Sequence, residues 1–242
     1  MSSVRTRRRG LAAPVALALV AAPLSLSLAA PATATPAGDA VVISEVYGAG
    51  GNSGATYNAD FVELFNPTAA PISLDGMSIQ YRSAASTSNA SVSALSGTLA
   101  AGDTHLIRMS ATGANGVALP TPDAVASPVV AMSGSAGQVL LATSTTAFPG
   151  ATTGNVAGNA ALVDMVGYGA SPTTFETAAT GVDLTATTSA QRAETGADTN
   201  ANAADFSEQL PTPDAIPDDP EERTIAQIQG SGDTSPDVGV KV

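Results

Sequence analysis

Oxygen-bearing side chains alternate in one stretch towards the C-terminal end of the sequence, and oxygen is the ligand that a hard cation prefers. The set consists of Asp198, Asn200, Asn202 and Asp205. The spacing is not that of an EF-hand, since Ala203 stands where that loop needs glycine and Gln209 where it needs glutamate. We therefore expect a calcium loop of another kind. The alternative is a turn, because Asp and Asn side chains also accept hydrogen bonds from nearby backbone N–H groups.

Carboxylates inside apolar runs form a second set, which could act as acid and base if two of them shared a cleft. The candidates are Glu45, Glu63 and Asp164, with His105 as the sole histidine. A structural role is the competing interpretation, because Glu63 and Asp164 alternate in phase with apolar residues and would need arginine partners or hydrogen-bond donors. The possible partners are Arg82, Arg108 and Arg192. We favour the structural role and predict no catalytic or cofactor-binding residue.

Histidine and loop aromatics offer little further chemistry. His105 has no cysteine and no second histidine to complete a metal site, so we expect a surface position on a strand. Three long loops, 48–60, 111–127 and 147–159, contain Tyr57 and Phe148 as their aromatic residues, and Tyr57 is the first we would test for partner binding. The first loop also carries a second set of possible calcium ligands: Asn52, Asn58 and Asp60.

The elements that would position these residues are short strands. Residues 41–47 and 61–65 are β-branched or alternating apolar runs that end at Gly, Asn and Pro, and a long Gly-rich loop separates them. Further strands are predicted at 72–81, 104–109, 129–132, 139–143 and 162–168, with a final edge strand at 191–193. Residues 129–143 should form a hairpin, and 83–96 a mobile crossing between sheets. The pattern predicts an all-β fold, an immunoglobulin-like β-sandwich.

Composition limits the possible functions. The chain has 242 residues, a formal net charge of −12 and no cysteine. Phosphate-backbone binding depends on clustered Lys and Arg, so we expect no direct nucleic-acid binding by so acidic a chain. Without cysteine there is no disulfide framework, and stability must come from a core between sheets.

The N-terminal segment has the pattern of an export signal. Four arginines precede an apolar run at 11–30, and small residues at Ala32 and Ala34 suit a signal peptidase. We expect a signal peptide at 1–34 that is cleaved after Ala34, with no membrane span afterwards and a secreted or cell-surface location. The arginines leave a twin-arginine route open beside the general one.

Several pieces in one order resemble a lamin tail domain of the kind found in exported bacterial proteins. They are VISEVY at 42–47, DFVELFNP at 60–67, LDGMSI at 74–79, VDMVGYG at 163–169, SAQR at 189–192 and PTP at 211–213. The resemblance covers about residues 39–214 and implies an immunoglobulin-like β-sandwich. Met77 replaces an aromatic residue that often follows the glycine, which affects packing more than family membership.

The C-terminal part suggests a larger architecture. Residues 215–223 read as an acidic, Pro-rich linker, and 224–242 resemble the incomplete start of the OB-like domain that follows the lamin tail domain in some secreted nucleases. We therefore expect a non-catalytic, secreted binding or targeting module that forms the N-terminal part of an extracellular nuclease. Two alternatives stay open: a nuclease of the endonuclease/exonuclease/phosphatase type whose catalytic domain is missing here, and a cell-wall or surface adhesion module. The partner would be an unknown protein or a cell surface.

Overall fold

Two β-sheets face each other in the computed structural model, which describes residues 39–181, 183–192 and 197–214. The strands in chain order are β1 (Val42–Tyr47), β2 (Phe61–Phe65), β3 (Ile72–Ser73), β4 (Ser78–Ser83), β5 (Ser91–Ala94), β6 (Thr98–Leu99), β7 (Thr104–Arg108), β8 (Ala124–Val125), β9 (Gly137–Ala142), β10 (Gly154–Asn155), β11 (Leu162–Tyr168), β12 (Thr174–Phe175), β13 (Ser189–Arg192) and β14 (Phe206–Gln209). One short helix, α1 (Asn202–Asp205), precedes β14. The predicted all-β sandwich is confirmed.

The larger sheet has six strands in the order β14-β13-β1-β2-β7-β8, and the smaller has four in the order β11-β9-β4-β5. Neighbours in the two main sheets are antiparallel except β7 and β8. Two ribbons, β3-β6 and β10-β12, lie beside them. The first strand of the chain therefore has β2 on one side and the late strand β13 on the other.

The main core lies between the two sheets, where alternate residues of each strand meet. Val62 and Leu64 of β2 pack in one apolar cluster with Val139 and Leu141 of β9 and with Val166 of β11. All five side chains are at least nine-tenths buried. Burying a Val or Leu side chain is worth about 1.5–3 kcal/mol, so this cluster supplies the main apolar driving force.

Strand β4 shows why the outer faces of the sandwich are also buried. Its predicted alternation is right, since Ile79 and Tyr81 face the core while Gln80 and Arg82 point away from it. The predicted half-burial is wrong, because the segment 144–152 lies over the outward side chains. Gln80 Nε2 donates to the carbonyl of Thr146 at 2.9 Å, and Arg82 Nη2 to that of Thr152 at 2.9 Å. Polar side chains thus anchor the loop that covers them.

The predicted strand at 72–81 is two strands in the structure. A turn between β3 and β4 contains Gly76 with φ of +85°, a conformation that glycine adopts without steric cost. The expected mobile crossing at 83–96 also differs, because β5 lies within it and pairs with β4 along four register positions. Small Ser and Ala side chains carry little apolar signal, so sequence periodicity could not reveal this edge strand.

The predicted hairpin at 129–143 is not formed. Residues 129–132 are not a strand; the N–H of Val130 donates to the carbonyl of Met109 at 2.7 Å, and the N–H of Met132 to Asp60 Oδ2 at 2.7 Å. Strand β9 pairs with β4 and β11 instead. The predicted final edge strand at 191–193 is an interior strand, since β13 lies between β1 and β14.

Three predictions from the sequence fall outside the described residues: the signal peptide at 1–34, the linker at 215–223 and the OB-like start at 224–242. In the part of the chain that the structure does describe, no helix has the length and apolar character that crossing a bilayer requires.

Candidate functional site

Two groups of buried carboxylates are the chemically notable feature of the sandwich. The first, here called the Arg192 cluster, comprises Asp164, Glu176, Asp198 and Asp205 around Arg192. The second, the Glu45–Glu63 pair, joins neighbouring strands β1 and β2 at directly opposed positions. Every one of these acids is at most 5% exposed.

Strand β11 brings Asp164 into the interior through an irregularity. The β9–β11 register shifts between Leu162 and Asp164, so that Leu162 packs in an outer cluster with Met165 while Val166 packs in the main core. Asp164 is in phase with Val166 and reaches the opposite sheet, where the N–H of Ile43 donates to Oδ2 at 2.6 Å. A strict two-residue alternation would place Leu162 on the same face as Val166, in the main core, whereas the structure places it in the outer cluster.

Arg192 of β13 is fully engaged at the centre of its cluster. Its Nη2 donates to Asp164 Oδ2 at 2.6 Å, its Nε to the carbonyl of Ile43 at 2.9 Å and its Nη1 to that of Ala197 at 2.7 Å. The guanidinium carbon lies 4.5 Å from the ring centroid of Phe206, a cation–π contact. The expectation that Asp164 needs an arginine partner or hydrogen-bond donors is confirmed, since Arg192 and the N–H of Ile43 both donate to it.

The other acids approach the same guanidinium less closely. Nη1 of Arg192 lies 3.6 Å from Asp198 Oδ1 and 3.6 Å from Asp205 Oδ2. One carboxylate oxygen each from Asp164, Glu176 and Asp198 lies within 4.8 Å of the others. Asp164 Oδ1 and Asp198 Oδ2 are buried and have no hydrogen-bond partner among the residues that the structure describes. Ionised carboxylate oxygens that lie this close together and away from water repel one another unless positive charge balances them.

Protonation equilibria in the Arg192 cluster reflect this crowding. Burial, and then the charges of Asp164 and Asp198, raise the pKa of Glu176 to about 9. Burial, and then the charge of Asp164, raise the pKa of Asp198 to about 7, and Arg192 opposes that rise. Burial also raises the pKa of Asp164, against Arg192 and the N–H of Ile43. Burial therefore raises the pKa values of these acids by more than the single arginine lowers them.

The predicted calcium loop at 198–205 lies at the edge of this cluster. Asp198 Oδ1 accepts from the N–H of Asn200 at 2.9 Å, as in a turn, and Asp205 accepts from Thr199 through both carboxylate oxygens. The amide of Asn202 is used in hydrogen bonds to Gly167, Glu176 and Met165. These contacts explain how the loop is held, and ion binding by the four predicted ligands stays a prediction.

The Glu45–Glu63 pair is closed by the end of the described chain. The N–H of Thr212 donates to Glu45 Oε1 at 3.1 Å and its hydroxyl to Oε2 at 3.3 Å. The hydroxyl of Ser44 donates to Glu63 Oε1 at 3.1 Å, and the N–H of Asp214 to Glu63 Oε2. Each of the four carboxylate oxygens thus has a donor.

Burial raises the pKa of Glu45 to about 7 and that of Glu63 to about 8, and the donors from the 212–214 segment oppose both shifts. The charge of Glu45 raises the pKa of Glu63 further. A perturbed pair of acids is a common mark of an acid–base site. Here both acids are buried beneath the 212–214 segment, with side chains that are at most 2% exposed.

The remaining residues singled out in the sequence have structural contacts. His105 is half-buried, not at the surface as predicted, with Nδ1 4.0 Å from Asp123 Oδ2. Tyr57 is half-buried and packs edge-on against Tyr47 and Phe61, with centroid separations of 6.2 and 6.1 Å. Phe148 is buried beside Arg82.

The first loop is held by its acid. Asp60 Oδ1 accepts from the N–H of Gly50 at 2.7 Å and Oδ2 from that of Met132 at 2.7 Å, while Asn52 is exposed. Burial raises the pKa of Asp60 to about 7. The loop acid therefore ties two distant loops together, and calcium binding there stays a prediction.

Glu176 is the member of the Arg192 cluster that sequence analysis did not single out. It follows β12, in a segment rich in Thr and Ala that favours no one structure, and its neighbour Thr177 has φ of +52°. A β-branched residue rarely adopts that conformation. The contact with Asp198 depends on long-range packing, for which the local sequence carries no signal.

An open groove lies at the β4–β5 side of the smaller sheet. Its volume is about 540 Å³, and just over half of its lining residues are Ser or Asn, beside Tyr81, Arg82 and the apolar segment 130–132. The lining residues include Ser86, Ser88, Asn89, Ser91 and Ser133. A polar groove with so many hydroxyl groups suits a hydroxylated ligand better than an apolar one.

Comparison with known proteins agrees with the architecture. The lamin tail domain family matches residues 34–170, which is more than half of the chain. No curated protein matches the sequence. The matched range contains the strands from β1 to β11, and the expected resemblance is confirmed. The chain belongs to the lamin tail domain family, whose fold is an immunoglobulin-like β-sandwich.

Proposed function

We propose that the chain is a secreted, non-catalytic binding or targeting module that serves as the N-terminal part of an extracellular nuclease. Membership of the lamin tail domain family supports the module. The export signal and the acidic composition in the sequence support a location outside the cytoplasm. The resemblance of 224–242 to an OB-like domain supports the link to nucleases.

The observation that carries the non-catalytic assignment is the burial of the three acids that could transfer a proton. Glu45, Glu63 and Asp164 are 2%, 1% and 0% exposed. A general acid or base must come within hydrogen-bond reach of the proton that it transfers. The 212–214 segment covers the first two, and Arg192 with the backbone of β1 covers the third. Their contacts are those of structural carboxylates.

Incubation of the purified chain with linear and supercoiled DNA tests this assignment. We expect no cleavage above buffer in the presence of magnesium or calcium. Cleavage that Glu63→Gln abolishes and Glu208→Gln preserves would contradict the proposal, because Glu208 is exposed on β14 and serves as the matched charge control. The exported location has its own test: mass spectrometry of medium from a secreting bacterial host should find a chain that begins at Thr35.

Adhesion to a wall polysaccharide is the second candidate, and the polar β4–β5 groove is the observation that favours it. Sedimentation with purified cell-wall material measures it on the full chain. Ser91→Trp would fill the groove from exposed β5 and should release the chain into the supernatant, whereas Ser96→Trp, exposed outside the groove, should not. Equal sedimentation of both variants would exclude the groove as the binding surface.

A further inference from the structure

Charge in the Arg192 cluster is not balanced by its own residues. Four carboxyl groups, those of Asp164, Glu176, Asp198 and Asp205, surround one guanidinium. Within the described ranges, the ion pairs of this cluster involve no second basic residue. A buried carboxylate is retained when it is paired with a cation or bound to a metal, and otherwise it takes up a proton.

Two oxygen atoms identify where additional positive charge is needed. Asp164 uses Oδ2 for Arg192 and Ile43, and Asp198 uses Oδ1 for Asn200, so Asp164 Oδ1 and Asp198 Oδ2 have no hydrogen-bond partner within 39–181, 183–192 and 197–214. The two residues are 0% and 1% exposed, so bulk water does not compensate. An unsatisfied buried polar group is rare in folded proteins. Both oxygens belong to carboxylates of the same close group of three.

Separation of the three oxygens fits a single ion. Ligands that lie 2.3–2.6 Å from a common calcium ion are at most about 5 Å apart, and one oxygen each from Asp164, Glu176 and Asp198 lies within 4.8 Å of the others. We propose that Asp164, Glu176 and Asp198 bind one calcium ion inside the sandwich. This ligand set shares only Asp198 with the loop predicted from the sequence.

The donor set defines the class of cation. All three ligands are carboxylates, with no nitrogen or sulfur, which suits a hard ion and disfavours zinc or copper. Calcium accepts irregular arrangements of six to eight oxygens, whereas magnesium requires near-octahedral geometry and retains several waters. The three acids are at most 4% exposed, so the waters that magnesium retains would have to be buried together with the ion. Calcium is therefore favoured over magnesium.

Protons are the competing way to neutralise the cluster, and calcium titration of the unmodified chain separates the two. Equilibrium dialysis in 0.1 M salt should show one bound calcium per chain with a dissociation constant of about 0.1–1 mM, the range of weak calcium modules. At 10 mM calcium we expect Tm to rise by about 3–6 °C over the value with chelator, and magnesium should give less than half of that rise. Absence of specific binding, or an equal response to magnesium, would overturn the proposal.

Three variants locate the ion. Glu176→Gln and Asp198→Asn keep the side-chain shape and remove one ligand charge each, so both should weaken calcium binding at least ten-fold and remove the rise in Tm. Glu208→Gln removes the same charge from an exposed position and should bind as the unmodified chain does. Circular dichroism checks that each variant is folded. Unchanged binding in a folded Glu176→Gln or Asp198→Asn chain would place the ion elsewhere and overturn the assignment.

Discussion

The two acid clusters solve one physical problem in different ways. In the Glu45–Glu63 pair, four carboxylate oxygens accept hydrogen bonds from Ser44 and the 212–214 segment. In the Arg192 cluster, one guanidinium pairs with several acids at once, and Asp164 Oδ1 and Asp198 Oδ2 have no hydrogen-bond partner in the described part of the chain. Both clusters are equally buried, so burial alone does not distinguish a structural acid from a ligand.

The difference lies in the donors. Backbone N–H groups and hydroxyls satisfy all four oxygens of the pair without balancing charge, and its pKa values of about 7 and 8 let the pair take up protons. Asp198 and Glu176 also have raised pKa values, about 7 and 9, so protonation does not separate the two clusters. A guanidinium supplies charge, but one guanidinium cannot neutralise four acids. Counting donors for each oxygen therefore tells more about function than counting acids.

Removal of Arg192 should give the largest loss in the free energy of unfolding. Arg192→Leu leaves Asp164 and its neighbours without their cation, and breaking a buried ion pair on one side costs about 3–5 kcal/mol. Urea unfolding measures the loss. Arg108→Leu is the control: Arg108 is half-buried on β7 and forms no ion pair among the described residues, and its loss should cost about 1 kcal/mol or less. Equal losses in the two variants would remove the central role given to Arg192.

Rising pH should weaken the fold through the Glu45–Glu63 pair. The folded pKa of Glu63, about 8, lies above its ordinary value of 4.5, so its contribution is fully present below about pH 4.5 and is lost as pH rises through 8. The groups that face it are Glu45 and Asp214, and Tyr57 faces Glu45. With about 1.4 kcal/mol for each pKa unit, we expect Glu63 alone to account for up to about 4 kcal/mol of the stability lost between pH 5 and pH 9. The raised pKa values of Glu176 and Asp198 act in the same direction and add to the total loss.

Glu63→Gln isolates this contribution, because glutamine does not ionise and should lose less stability over the same range. Glu208→Gln should follow the unmodified chain, since Glu208 is exposed. Urea midpoints at pH 5, 7 and 9 measure the three curves. Parallel curves for the unmodified chain and Glu63→Gln would show that Glu63 is already ionised in the folded state at pH 5.

The smallest expected loss of stability comes from Thr212, which lies over the Glu45–Glu63 pair. Thr212→Val removes the hydroxyl that donates to Glu45 Oε2 at 3.3 Å and leaves the backbone N–H in place. The same hydroxyl accepts a hydrogen bond from Gln191 Nε2 at 3.1 Å. Each hydrogen bond contributes about 0.5–1.5 kcal/mol, so we expect a loss of about 1–2 kcal/mol. Thr187→Val, exposed away from both clusters, is the control and should be close to neutral. A loss above 3 kcal/mol would mean that the 212–214 segment does more than supply donors.

The sequence predicts the interior of this fold better than its periphery. β2 and β11 are found with the bounds that their alternation predicts, because large apolar residues carry a strong periodic signal. β5 and β14 were missed, since their small and polar residues have no such period and become strands by pairing with β4 and β13. Tertiary pairing decides weak strands, and local pattern does not.

For the buried acids too, the sequence predicts some features and not others. The need of Asp164 for an arginine or for hydrogen-bond donors follows from a charge on an apolar face, and that prediction is confirmed. The contribution of Glu176 could not be predicted, because its approach to Asp198 depends on how the chain after β11 folds back over the sandwich. A single sequence shows which charges will be buried, but not which of them will meet.

The position of β1 between β2 and β13 has a consequence for how the chain reaches this fold. Val46 pairs with Val62 a short distance along the chain, but also with Ala190, close to the end of the sandwich. Such distant pairings raise contact order, which slows folding because the long intervening chain must be ordered before the contacts form. β1 is therefore the first strand to be synthesised but is fully paired only late in folding. Until β13 pairs with it, one edge of β1 has unpaired backbone groups that can bind another strand.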